Sequence, residues 1–577
     1  MPRKASGKLR VDRIERTQSN GDVYVYEVIS KYNPEKKYNQ QVSSKLLGKI
    51  PVGSDKMVAT RPRKKKEPTA ENNDSGVIRC SVGTMDILDW VGKASGIDDD
   101  LLAAADKGTA LKLISIARFW TANPDKTIRR IEEWQIDHRI PYADGLSEDS
   151  CYLLMKELGQ DASISQRYFH FRATHASSRT SVAVDTTTIS SYSDYLNDVR
   201  YGYNKDGNGL PAIKILTLYS TKGQQPVAFS RQPGNIPDVI SVQNALKQLS
   251  VLNMEKPLVV LDGGFFSESN ILDFLHVHTK VLMRAQLDCK WILPELEAAY
   301  DSIEIPSNVC PFDSNVYGVT KRISHVFETK RKRTRNGVQQ GDAVYEEHRI
   351  FLHFFLNTEK RRIEKAALMD DIKHVKEQIE RGVDRTLLSK AERNIAEKFL
   401  LSRTYGQKLT VALDDMEILK ESKYMGFFAL IATEKMDTFD ALTEYRLRER
   451  TEEGFRLDKQ YNDAHMTRSK TTPSLEGRLF CQFVAFGYES FLLNAVNKIK
   501  RTLAVPNGDP EHDKADNLRK EKALLNWLNK MSIAKLMDWF DAIQETTVDT
   551  CFGKSRWRTE TIERDRLFLK RLGVLKN

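Results

Sequence analysis

Cysteine is scarce in this chain of 577 residues: six, at 80, 151, 289, 310, 481 and 551, with no C-x-x-C pair and no histidine at metal-ligand spacing. That excludes a disulfide-stapled secreted scaffold and predicts buried, reduced thiols without a structural zinc. Long hydrophobic runs are also missing. The longest apolar stretch, Phe480 to Val496, is interrupted by Gln482 and Glu489, and the N-terminal MPRKASGKLR is followed by no apolar segment. No run approaches a membrane span, so a cytoplasmic protein without membrane association is expected. No internal repeat is found. What is present is 40% apolar residues, enough for several cores in a chain of this length.

Charge is unevenly placed. Residues 1 to 70 hold 17 Lys and Arg against 7 Asp and Glu, a balance of +10, which equals the formal charge of the whole chain. The remaining residues therefore sum to zero. A basic excess confined to one end suits a nucleic-acid-binding arm, because neutralising phosphates releases counterions. A tail that only aids solubility has the same composition.

Periodicity divides the rest. Arg10 to Val28 alternates around Asn20-Gly21, a pair that favours a two-residue hairpin turn. Arg61 to Gly76 has no periodicity and reads as a linker. Met85 to Gln160 is helical, with Leu101 to Phe119 recurring at helical spacing and Asp125 and Ser147 as candidate N-caps. Short β-rich runs follow at Val182–Ile189, Ala212–Tyr219, Pro226–Ser230, Leu258–Asp262 and Lys280–Ala285, with helical patterns at Val239–Leu249 and Glu268–Leu275. A three-strand meander followed by helix, strand, helix and strand is the order of an RNase H-like α/β layer. Between Lys290 and about Asp415 come strands at Arg322–Thr329 and Tyr345–Leu356 and charged helices at Glu359–Glu380 and Thr386–Ser402. Phe427–Thr433 restores a buried strand, a helix follows over Thr438–Asp458, and the chain is helical again from Asp516 to Glu545.

The residues that suggest chemistry lie at strand ends and on one helix. Asp185 sits among apolar neighbours in VAVDTTTI, and Asp262 ends LVVLDGG. Both are costly places for a carboxylate without compensation, although a strand-end or turn role also accounts for each alone. Tyr445, Arg448, Glu452 and Lys459 in YRLRERTEEGFRLDK are spaced Y-x2-R-x3-E-x6-K. At ~100° per residue they occupy a stripe about 60° wide, whereas Leu447 and Leu457 face elsewhere. A solvated face of charge pairs would look similar. Three carboxylates converging from two strands and a helix would bind hard divalent cations through oxygen.

With VDTTTI, GYNKDGNGLP from Gly202, PGNIPD from Pro233, LDGGFFSESN and the helix stripe, the chain resembles the DDE transposases of bacterial insertion sequences. Within these it is similar to the YREK-signature group, insertion sequence family four and its offshoots, over approximately Val182 to Leu492. The resemblance implies an α/β, RNase H-like catalytic domain in two parts, 166–289 and 416–500, interrupted by a mixed α/β insertion domain over 290–415. Around it fall a basic β unit (1–60), a linker (61–84), a helical candidate DNA-binding region (85–165) and a C-terminal helical region (501–577).

By the same resemblance Asp185, Asp262 and Glu452 are the catalytic, metal-binding triad for Mg2+ or Mn2+, two ions per site. Tyr445, Arg448 and Lys459 position terminal phosphates, Lys459 about two turns beyond Glu452. Relatives bind the inverted repeats at the element ends, cut them, and join the 3′ ends to double-stranded target DNA as a homodimer, which implies a nucleoid-associated bacterial protein. Many relatives carry a basic residue after the second Asp, where this chain has Gly263. Trp291 is the candidate for stacking on a flipped base, a core position being the ordinary alternative. Lys330, Arg331, Lys332 and Arg333 begin the basic run KRKRTR, either a DNA contact or a solvated loop. A catalytically silent DNA-binding relative and an RNase H-like nuclease without strand transfer are the competing functions.

Overall fold

A computed structural model describes residues 10–17, 22–33, 38–54, 56–58, 77–175, 181–193, 195–205, 207–254, 257–330, 343–405, 408–448, 469, 471–506, 514–550 and 553–575. The chain forms two compact units, Met1–Val77 with Val548–Ser555 and Ile78–Thr547 with Arg556–Asn577.

In the first unit, β1 (Arg10–Thr17), β2 (Val23–Asn33) and β3 (Tyr38–Ile50) form an antiparallel meander. Thr17 pairs with Val23, so the strands expected on either side of Asn20-Gly21 do meet; the turn itself lies outside the described residues. Val25 and Val28 are buried, and register shifts after Val25 and Ile29 break strict alternation along β2.

The second unit opens with β4 (Val77–Ser81) and a run of helices, Gly83–Ser95, Ile97–Ala104, Lys107–Ala122, Ile131–Asp137, Glu148–Gln160 and Ser163–His175. Ser147 caps its helix through a reciprocal capping box with Ser150. The expected cap at Asp125 falls short of the next helical turn: the 3-10 turn Ile128–Arg130 has Thr127 at its N-cap position. The helical spacing seen from Leu101 to Phe119 is broken, because Asp106 leaves the helix and caps Lys107–Ala122 by accepting from Thr109 N.

A nine-stranded sheet forms the centre. Its strands are β5 (Ser181–Ser190), β6 (Ala212–Ser220), β7 (Gln225–Pro233), β8 (Leu258–Leu261), β9 (Val281–Ala285), β10 (Val309–Cys310), β11 (Asp313–Lys330), β12 (Ala343–Asn357) and β15 (Phe427–Ala432). The order is β10-β11-β12-β15-β9-β8-β5-β6-β7. β5, β6 and β7 form the expected antiparallel meander, and β8 and β9 run parallel to β5. This five-strand part is the RNase H-like layer.

The segment 290–415 divides in two. β11 and β12 extend the central sheet through the antiparallel pairing of β12 with β15. Helices Thr358–Glu380 and Lys390–Phe399 with the hairpin β13 (Leu400–Tyr405) and β14 (Lys408–Leu413) bury a separate cluster including Ile372, Val375, Phe399 and Val411. The helix expected over Thr386–Ser402 is therefore shorter, capped by Ser389 and ending where Leu400 starts a strand. The expected C-terminal helix from Asp516 to Glu545 is likewise two helices, Ala515–Leu528 and Ile533–Asp541, followed by β16 (Gln544–Thr550), β17 (Gly553–Arg558) and a helix Glu563–Leu572.

The helix Thr472–Thr502 crosses the core. By length and apolar composition it meets the criterion for a membrane span, which corrects the expectation that no run approaches one; 78% of that window is buried inside the fold, as in a core helix. It meets Glu148–Gln160 at two glycines. A Cβ on Gly477 would fall 1.7 Å from Met155 O, and one on Gly159 would fall 1.8 Å from Pro473 O. Backbones this close admit only glycine at both positions. Tyr488 of the same helix hydrogen-bonds Asp98, whose Oδ2 accepts from buried Arg118 Nη2 at 2.7 Å. Removing Arg118 would leave the largely enclosed Asp98 carboxylate without its cation, a loss of about 3–5 kcal/mol.

Candidate functional site

Strand register brings the two aspartates together. Parallel β5 and β8 pair Ala183 with Val260 and Val184 with Leu261. One further step places Asp185 beside Asp262, on strands ~4.8 Å apart, and Asp262 keeps an extended backbone (φ −76°, ψ 165°) that continues β8. β8 pairs Leu261 with Met283 of β9 in the same way, so the next step sets Arg284 on the other side of Asp262. Asp185, Asp262 and Arg284 thus form one row across three strands. Alternation gives Asp262 the face of Val260. That face packs on Ala441, Leu442 and Tyr445 of the helix at 438–448.

Asp185 is mostly enclosed, its side chain 14% exposed, with Oδ1 accepting from Thr186 N at 2.8 Å and lying 3.5 Å from Lys205 Nζ. The loop after β5 aims that lysine. Buried Asn204 joins the hydroxyls of Thr188 and Ser190, Lys205 N donates to Thr188 Oγ1, and Lys205 Nζ donates to Thr186 O. Asp238, the last residue of PGNIPD, accepts from Thr186 Oγ1 at 2.8 Å and from buried Lys214 Nζ at 2.7 Å. Two of the short motifs therefore brace the strand that carries Asp185.

Asp262 is more open, 44% exposed, and meets the helix stripe directly. Tyr445 donates its hydroxyl to Asp262 Oδ1 at 3.2 Å, and Arg448 Nη2 lies 3.6 Å from the same oxygen. The Arg448 guanidinium sits over the Tyr445 ring, 5.1 Å from its centroid. Both side chains are only 3% exposed. Burial pushes the Tyr445 hydroxyl up to about 12, Arg448 opposing the rise and Asp262 adding to it. From the same helix Glu444 accepts from Ser181 Oγ at the start of β5 and pairs with Lys222 at 3.5 Å.

Two adjacent carboxylates repel unless cations offset them, and Lys205 and Arg448 flank the pair. The donor set is all hard oxygen, which fits Mg2+ or Mn2+. Glu452 and Lys459 lie outside the described residues, as do Arg331, Lys332 and Arg333; Lys330 ends β11. Trp291 is half-buried: its ring stacks on His325 at 4.1 Å and its Nε1 donates to Glu268 Oε1 at 3.0 Å. Lys205 and Arg284 were not singled out by sequence reasoning. GYNKDGNGLP carried a signal for Lys205; nothing in KVLMRA distinguished Arg284, because its place depends on register.

The strand order and the paired aspartates define an RNase H-like α/β enzyme core. Residues 176–485, more than half of the chain, match the family model described as a transposase DDE domain; the chain belongs to this family and is a DDE-type transposase. No curated protein matches it. Among solved structures it is similar to a piggyBac transposase in a synaptic complex with hairpin DNA, determined by cryo-EM. The identity is 9%, the TM-score 0.34, and the match covers 86% of this chain and 83% of that one.

Proposed function

We propose that this transposase belongs to the YREK-signature group and moves an insertion sequence by cut-and-paste. It binds the terminal inverted repeats, cleaves the ends by phosphoryl transfer and joins the 3′ ends to target DNA. The observation that carries the reading is the meeting of Asp185 and Asp262 in register, with Tyr445 and Arg448 of the signature helix on Asp262.

Asp185 and Asp262 would hold Mg2+ or Mn2+, with Glu452 as the third carboxylate and two ions per site. Such ions supply a Lewis acid for activating water or a 3′-hydroxyl and for offsetting charge on the leaving oxygen. Arg448 and Tyr445 orient the Asp262 carboxylate, and Lys205 balances Asp185 until DNA arrives. Arg284 serves as the phosphate-facing cation where relatives carry a basic residue after the second Asp. Arg284 adjoins Gly263: a Cβ at Gly263 would stand in ordinary contact with the Arg284 side chain, 3.8 Å away. The basic segment 1–70 tracks double-stranded DNA electrostatically, and the protein acts as a homodimer on DNA at the cytoplasmic nucleoid.

The test is strand cleavage and joining on DNA bearing the element's own inverted repeats, with Mg2+ or Mn2+. Asp185→Asn, Asp262→Asn and Glu452→Gln are each expected to abolish cleavage and leave end binding largely intact. Normal cleavage by all three variants would sink the assignment.

A further inference from the structure

We propose that His276, Glu346 and His348 form a binding site for a divalent transition metal of the zinc class, on the face of the sheet opposite the paired aspartates. Their ligand atoms all lie within 4.8 Å of one another. Glu346 Oε2 is 2.7 Å from His276 Nε2 and 3.3 Å from His348 Nε2. In a tetrahedral site with bonds of ~2.0–2.1 Å, neighbouring ligand atoms stand about 3.3 Å apart; the Glu346–His348 pair already has that spacing, and the Glu346–His276 pair would open by about 0.6 Å. Two imidazoles and one carboxylate are a donor set that selects zinc-like ions over Mg2+. Three protein ligands also leave a fourth position open to water.

The fold builds this cluster from two elements. Glu346 and His348 are two apart on β12 and so share a face, the one from which Ile350, Leu352 and Phe354 enter the main core. Phe351 and Phe355, on the other face, pack against the cluster that contains Tyr445. The sheet thus separates the site from the helix at 438–448. His276 comes from the last turn of the helix Glu268–His276, where the partial negative charge of the helix C-terminus favours a cation. All three side chains are between 31% and 51% exposed, so an ion can reach them.

The helix Glu268–His276 starts six residues after Asp262, and β12 pairs along its length with β11. At its other end Glu268 accepts from Trp291 Nε1 and lies 3.8 Å from His325, which is paired across the ribbon with His348. A metal at His276 would fasten the second end of this helix to the β11–β12 ribbon and steady the segment that follows the second aspartate.

The full-length protein, stripped with a chelator, is titrated with Co2+ and the visible d–d absorption recorded, with Zn2+ then added as competitor. One equivalent with a tetrahedral-type band, displaced by Zn2+, is expected. The band should persist in the Asp185→Asn/Asp262→Asn double variant, which disables the carboxylate pair. It should weaken in His276→Ala and in the near-isosteric Glu346→Gln by at least the ~10–100-fold that loss of an outer-shell partner costs. Circular dichroism establishes that the variants are folded. Absence of such a band in the wild type overturns the proposal, as does a band lost in the double aspartate variant or retained at full affinity in both His276→Ala and Glu346→Gln.

Discussion

Tyr445 donates its phenolic hydroxyl to Asp262 Oδ1 across 3.2 Å, linking the signature helix to a strand end 183 positions earlier in the chain. The phenol is buried, and its pKa of about 12 keeps it a donor throughout the neutral range. Tyr445→Phe should retain the fold and the ring beneath Arg448 but free the carboxylate to rotate. A fall of about tenfold or more in cleavage rate is expected, equivalent to ~1.4 kcal/mol, with end binding little changed. Single-turnover cleavage measures the rate, and a gel-shift titration measures binding.

Arg284 stands next to Asp262 in the cross-strand row, a position that only the pairing of β8 with β9 creates. Arg284→Gln is expected to slow cleavage and weaken binding of the element end, while Arg284→Lys should recover part of the binding as a point charge without the planar fork. Equal activity of the Gln variant and the wild type would remove Arg284 from the site.

His353, fully buried on β12, gives the fold an acid limit. Thr320 Oγ1 meets its Nδ1 at 2.7 Å, and its Nε2 has no hydrogen-bond partner among the described residues. Burial lowers its pKa to about 4. Because the folded value lies below the unfolded one, the unfolded chain takes up a proton first as pH falls. Stability is then full above ~6.5 and declines toward pH 4, by on the order of 3 kcal/mol. Thermal melts of wild type and His353→Leu between pH 7 and pH 4 should show a shallower acid loss in the variant.

Gly477→Ala tests the helix crossing. Its new methyl would overlap Met155 O, so the helices must separate. Destabilisation of about 1–3 kcal/mol or more is expected in a denaturant melt. An exposed glycine such as Gly53, with nothing near its Cβ position but a φ of 78°, should instead register only the strain of its backbone.

The sequence by itself determined the strands and helices of the α/β layer, because β-branched runs bounded by turn residues and helical spacing are local signals. VAVDTTTI became β5, LVVLD became β8 and FFALIAT became β15. Spacing also placed Tyr445 and Arg448 on one face of a helix, without fixing what that face meets within the fold. Tertiary packing decided that: Ala441 and Leu442 dock the helix at 438–448 on the sheet and bury both residues against Asp262. The same holds for the long helix Thr472–Thr502, apolar enough for a membrane yet used as a core. The place of Arg284 beside the expected pair Asp185 and Asp262, and the cluster of His276, Glu346 and His348, were invisible in the chain. Strand register and helix docking are set by hydrogen bonds and packing between segments tens of residues apart, and no local spacing encodes them.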